Sequence, residues 1–247
     1  IVKLTIPLFF EMLLAILVSN IDQLMLSTHS QEAVSAIGNS GQISWILMLF
    51  FQVLGTASLI LITQYKGAGK DKQAEAIYPV TLIVNAFIGI LISLVSIFAI
   101  GFIFKLMNVE SGLSFEYAKL YMQIIGISFF FMAISNCFGS FLKANGFVKE
   151  TMFISIFVNI LNVIGNAVGL YVLDLGVAGV AYSTTLSRLI GMILTMVVFL
   201  HKVGVIHFSA MKNINPWKLL KQLLGIGVPS VGENMSYDMA QLVLMSC

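Results

Sequence analysis

Residues 6–26 read IPLFFEMLLAILVSNIDQLML. A run of about twenty mostly apolar residues is long enough to cross a bilayer as a helix. Two carboxylates lie inside it, Glu11 and Asp22, eleven residues apart. At 100° per residue that separation brings them within about 20° of each other on one helical face. A carboxylate within a membrane is costly unless it faces a partner or water, so Asp22, near the outer end of the run, is a candidate functional residue.

The rest of the chain has the same character. Of 247 residues 59% are hydrophobic and 10% charged, with mean hydropathy +0.99, whereas soluble domains carry about 25% charged residues. The 19 Phe and 13 Met are spread over long apolar runs that a soluble core of this length could not bury. Cys137 and Cys247 both fall in apolar stretches and match no disulfide or ligand spacing, so they read as small buried residues. The first apolar run is too long for the h-region of a cleaved signal. The chain opens on Ile and stops inside a hydrophobic segment, and is expected to be a fragment.

Seven apolar segments follow one another, at about 4–28, 36–65, 78–104, 117–142, 151–173, 177–200 and from about 217 onward. Their lengths suit helices, tilted where they exceed twenty residues. No alternating pattern of about ten residues recurs, which disfavours a β-barrel. The expected fold class is all-α, a polytopic membrane helical bundle. Lys3, Lys66, Lys70, Lys72, Lys143, Lys149, Lys202, Lys212, Lys218 and Lys221 fall on one side of the spans, and only Lys105 and Lys119 on the other. The positive-inside rule then puts the N-terminus and the even-to-odd loops in the cytoplasm.

The longest connection, HKVGVIHFSAMKNINPWK at 201–218, reads as a linker. The expected organisation is a six-helix lobe at 1–200, a cytoplasmic linker at 201–216 and the first helix of a truncated second lobe at 217–247. IPLFFE at 6–11 and VPSVGE at 228–233 both place Pro four residues before Glu, which fits tandem halves.

Polar residues inside the spans are the functional candidates. Ser155, Asn159, Asn162 and Asn166, at spacings of 4, 3 and 4, share one narrow stripe of the fifth span. They either bridge helices by hydrogen bonds or line a hydrated cavity shared with Asp22. The sixth span opens with Ser183, Thr184, Thr185 and Ser187, hydroxyls that often bond back to their own helix. Arg188, always charged, needs a carboxylate or the C-terminal carbonyls of another helix. Gln52, Asn85 and Asn136 could line a pathway, although bridging between helices is the favoured reading, and Glu233 lies in the seventh span. Gly176 and Gly179 serve turns and close packing. GAGK at 67–70 lacks the full phosphate-loop spacing, and no HExxH or GxSxG motif occurs. Catalysis, an organic cofactor and a nucleic-acid partner are not expected.

The early Pro and Asp, SAIGNSGQI at 35–43, ITQYKGAGKDKQAEA at 62–76 and NVIGNAVGLYVLDLGVAGVAYSTTLSR at 162–188 together resemble multidrug and toxic compound extrusion (MATE) transporters. The resemblance covers the whole chain. It implies two six-helix lobes around a central cavity, of which this chain would hold the N-terminal lobe and the start of a seventh helix. It also implies a cation site built from Asp22, Asn162, Asn166 and Thr184. Asn166 departs from the family pattern, which often has Asp there, leaving Asp22 as the carboxylate. One carboxylate, two amides and a hydroxyl could hold Na⁺, more weakly than two carboxylates would. A proton taken up by Asp22 is the alternative coupling ion.

The function so implied is a Na⁺- or H⁺-coupled antiporter in the cytoplasmic membrane, exporting amphipathic organic cations by alternating access. Asn159, Gln52, Asn85, Arg188, Glu11 and Glu233 are further cavity-lining candidates. The expected partners are the small-molecule cargo, the lipid bilayer and the remaining C-terminal lobe. The closest alternative is a lipid-linked oligosaccharide flippase of the same superfamily. Such flippases tend to have a strongly cationic central cavity, and it is disfavoured because Arg188 is the only intramembrane basic residue here. A seven-helix receptor would put its N-terminus outside, against the lysine distribution.

Overall fold

A computed structural model describes residues 31–106 and 112–246, together with Phe9, Leu13, Ile21, Leu24, Met25 and Ser27. Asp22 and Glu11 lie outside the described residues. The order is α1 (Gln31–Gly67), α2 (Asp71–Phe98), α3 (Ile100–Leu106), α4 (Leu113–Gly126), α5 (Ser128–Ala144), α6 (Val148–Ala167), α7 (Gly176–Lys202) and α8 (Pro216–Ser246). A π-helical turn, Val168–Val172, extends α6, and a 3₁₀ turn, Phe208–Asn213, precedes α8. There are no strands among the described residues.

The helices are arranged with polar groups inward and apolar groups outward. On α2, Phe87, Ile90, Leu91, Leu94 and Phe98 are exposed at helical spacing, while Thr81, Asn85, Ser93 and Ser96 are buried. On α6, Phe153, Phe157, Ile160, Ile164 and Val168 face outward, opposite the Ser155–Asn166 stripe. Such a contiguous apolar exterior is untenable in water and natural in hydrocarbon. By length and composition α1, α2, α6 with its π turn, and α7 can each cross a membrane. The α4–α5 pair, taken together as one bent element, meets the same length and composition criterion.

That pair is bent by 49° at Ile127, where the sequence reads as one continuous span. No proline causes the bend. Ser128 Oγ donates back to the Ile125 carbonyl at 2.6 Å, and Gly126 lies so close to α2 that an added Cβ would stand 2.7 Å from Ile97 Cγ1. A side-chain bond into the carbonyl ladder beside a tightly packed glycine is a recognised cause of a kink. The third span is likewise interrupted at Ala99, between α2 and α3.

Two buried clusters hold the bundle. One gathers Phe51, Phe104, Phe129, Met122 and Leu170. The other is centred on Tyr78, Phe138, Phe141 and Phe199, with Leu219 and Leu223 of α8 joining it. Tyr78 meets Phe141 edge-on at 4.9 Å between centroids, and Phe138 lies 5.2 Å from Phe199. Geometries of this kind contribute about 1 kcal/mol per pair beyond the area they bury. Because lipid is as apolar as Leu, close packing and interhelical hydrogen bonds carry more of the stability here than apolar burial does. At one end of the bundle Lys66 Nζ donates to Asn145 Oδ1. Asn145 Nδ2 donates to the Tyr78 hydroxyl at 3.0 Å, which ties the α1–α2 turn to the α5–α6 turn.

Candidate functional site

Two small-residue patches bring α6 and α7 together. An added Cβ on Gly179 would stand 2.9 Å from the Gly169 backbone, and one on Gly169 would stand 2.9 Å from that of Gly179. One turn along, Gly165 faces Ser183. Gly165 and Gly169, and Gly179 and Ser183, are each four residues apart, the small-xxx-small spacing that lets helix backbones approach in a membrane.

This approach brings the polar residues of both helices into register. Asn162 Nδ2 donates to Thr184 Oγ1 at 3.3 Å, and Ser183 Oγ donates to the Asn162 carbonyl at 2.9 Å. Asn166, one turn further along the same face, is 1% exposed. Asn162 and Thr184 therefore meet, with Asn166 buried beside them. Amide and hydroxyl oxygens are hard ligands suited to Na⁺ or to a hydrated proton path, but two amides and a hydroxyl bring no formal charge. The carboxylate expected to complete the set, Asp22, lies outside the described residues.

Ser155 and Asn159, earlier on the same stripe, line a cavity of about 430 Å³ between α1, α5, α6 and α7. Arg188 and Lys143 line it too. Lys143 is the residue that sequence reasoning missed. It reads as an ordinary loop charge, yet it occupies the last turn of α5 and faces this space. The signal was its spacing of four and seven residues from Gly139 and Asn136, which line the same cavity. Lys143, at the end of α5, adds a second basic group to the lining of this cavity beside Arg188.

Arg188 meets no carboxylate among the described residues. Its Nη1 donates to Ser128 Oγ at 2.7 Å, and that hydroxyl in turn donates to the Ile125 carbonyl at 2.6 Å. Ile125 is in the last turn of α4, so the guanidinium reaches the negative end of a helix through one hydroxyl. Its Cζ also lies 5.6 Å from the Phe129 ring centroid. Neither expected partner, a carboxylate or helix carbonyls, meets Arg188 directly among the described residues; the Ser128 hydroxyl stands between it and the Ile125 carbonyl.

The other candidates are dispersed. Asn85 is fully buried, and its Nδ2 donates to Cys137 Sγ at 3.0 Å across α2 and α5. It bridges helices and does not line this cavity. Gln52 is half-buried on α1 and is not among the residues lining this cavity. Glu233 is exposed on α8. No group of three or more His, Cys, Asp or Glu able to hold a metal occurs among the described residues.

The MatE family profile matches residues 7–168. The chain belongs to the MatE family. Its curated relatives include the uncharacterized transporter YisQ of Bacillus subtilis, 37% identical over 98% of this chain and 54% of that protein. The probable multidrug resistance protein NorM of Thermotoga maritima is 25% identical over 98% of this chain and 53% of its own length. The chain spans about half the length of these MatE relatives. Among solved structures, an outward-facing multidrug resistance MATE transporter superposes with a TM-score of 0.89 at 24% identity, over 99% of this chain and 54% of its own. That likeness shows the fold, a membrane helical bundle of MATE type. MatE proteins are membrane transporters and not enzymes.

Proposed function

We propose that the complete protein is a cation-coupled antiporter that exports amphipathic organic compounds by alternating access, and that the chain described is its N-terminal lobe with the first helix of the next. Cationic drugs are the cargo that the family resemblance implies. The coupling cation, Na⁺ or H⁺, binds at Asp22, Asn162, Asn166 and Thr184. Cation binding there draws the first span, α6 and α7 together and changes the walls of the neighbouring cavity. The lobe sits in the cytoplasmic membrane with its N-terminus inside, the side on which ten of the lysines fall.

The observation that carries this reading is the Asn162–Thr184 hydrogen bond with buried Asn166 beside it. The Tyr171 hydroxyl donates to the Met25 carbonyl at 3.4 Å, which ties the π turn after α6 to the first span.

The test is efflux by the full-length protein in vesicles with Na⁺ and pH gradients imposed separately. One gradient should drive export in the wild type, and Asp22→Asn should abolish that drive without loss of expression. Gradient-driven efflux that is unchanged in Asp22→Asn would sink the proposal.

A further inference from the structure

The cavity between α1, α5, α6 and α7 carries a charge that the cation site does not use. Its charged lining residues are Lys143 and Arg188, and no carboxylate is among its lining residues in the described chain. Neutral hydrogen-bonding groups, Ser135, Ser140, Ser155 and Asn159 among them, punctuate a lining that is otherwise largely apolar. At about 430 Å³ it is far larger than an inorganic ion needs and falls in the range of small-molecule sites.

Arg188 is already positioned. Ser128 and the Phe129 face fix its guanidinium, which has five N–H donors in a planar fork. Among the described residues Ser128 Oγ is the only hydrogen-bond acceptor that it meets. An arginine inside a membrane protein requires an anionic or carbonyl partner, and the donors left over match the two oxygens of a carboxylate, sulfonate or phosphate. Lys143 adds a second, point-like positive charge on the same cavity.

We propose that this cavity is the subsite for the anionic group of an amphipathic substrate, with Arg188 as its bidentate anchor and Lys143 as a second positive charge. The proposal rests on the transporter reading and narrows its cargo. The part of the substrate held by this lobe is negatively charged, and any positive charge on the same molecule lies elsewhere. The apolar part of the substrate lies along Met48, Met132 and Val158, which line the same space.

The test uses the full-length protein in phosphatidylcholine nanodiscs and two fluorescent probes with the same undecyl chain, one ending in a carboxylate and the other in an ammonium. Binding is measured without any gradient, so a negative result leaves the antiport reading untouched. The wild type should bind the carboxylate probe about tenfold more tightly than the ammonium probe. Arg188→Gln should erase that preference, Lys143→Gln should reduce it, and Arg188→Lys, which keeps the charge but loses the fork, should retain part of it. Equal binding of both probes by the wild type would overturn the proposal. So would an Arg188→Gln variant that weakens both probes alike. A wild-type preference for the ammonium probe would overturn it as well. Repeating the titration in phosphatidylglycerol discs distinguishes the sources of the anion. Loss of carboxylate binding there identifies a lipid headgroup as occupant, and unchanged affinity identifies a free amphiphile.

Discussion

Asn166 carries the sharpest residue-level consequence. It stands where the family resemblance implies a second carboxylate, and it is 1% exposed. In so dry a place a formal charge acts at low effective dielectric and weighs heavily on a bound cation. Asn166→Asp should therefore tighten Na⁺ binding to the full-length protein by about tenfold, or ~1.4 kcal/mol, in equilibrium binding of radioactive Na⁺. Equal affinity would separate Asn166 from the site. The asparagine stripe was legible in the sequence because its spacing of 4, 3 and 4 needs only helical periodicity. Its division was not legible. Asn162 bonds to Thr184 of α7, Asn166 is buried and Asn159 lines the cavity, a division that the periodicity does not reveal.

Among the elements, the α6–α7 contact is the one that most constrains the site. Gly169 and Gly179 permit a backbone approach that any side chain would prevent, since the nearest atoms to an added Cβ are backbone atoms and cannot swing away. Gly179→Ala should destabilise the protein by about 1–3 kcal/mol through overpacking, read as a lower midpoint in thermal unfolding in detergent. Gly101→Ala, whose Cβ would rest 3.7 Å from the Lys119 side chain, should leave that midpoint unchanged or raise it. The same midpoint in both variants would remove the glycine crossing as a determinant of the site. Helix extents were largely readable from hydropathy: the segment expected at 177–200 is α7, Gly176–Lys202. The bend at Ile127 was not, because its cause is tertiary. Gly126 presses on Ile97, and Ser128 bonds back to Ile125. A sequence without proline there gives no sign of it. The partner of Arg188 was hidden for the same reason, since it exists only once α4 ends at that bend.

At the scale of the whole molecule, the account joins two sites in one lobe. The proposed cation site at the α6–α7 crossing and the basic cavity both draw on the polar stripe of α6. Membrane character was evident from composition and from the long apolar runs. The inward-facing polar residues give it physical form, with Phe and Leu outside on α2 and Thr, Asn and Ser within. Family membership adds that the chain spans about half the length of its relatives, so transport belongs to the complete protein. The central claim is that the first span presents Asp22 to Asn162, Asn166 and Thr184. Cross-linking in native membranes tests it most directly, using the full-length protein with Cys137 and Cys247 replaced by Ala. Asp22→Cys paired with Asn166→Cys should be joined by a short bis-methanethiosulfonate reagent. Asp22→Cys paired with Ile160→Cys, on the outward face of α6, should not be joined. Cross-linking to position 160 and not to 166 would contradict the account.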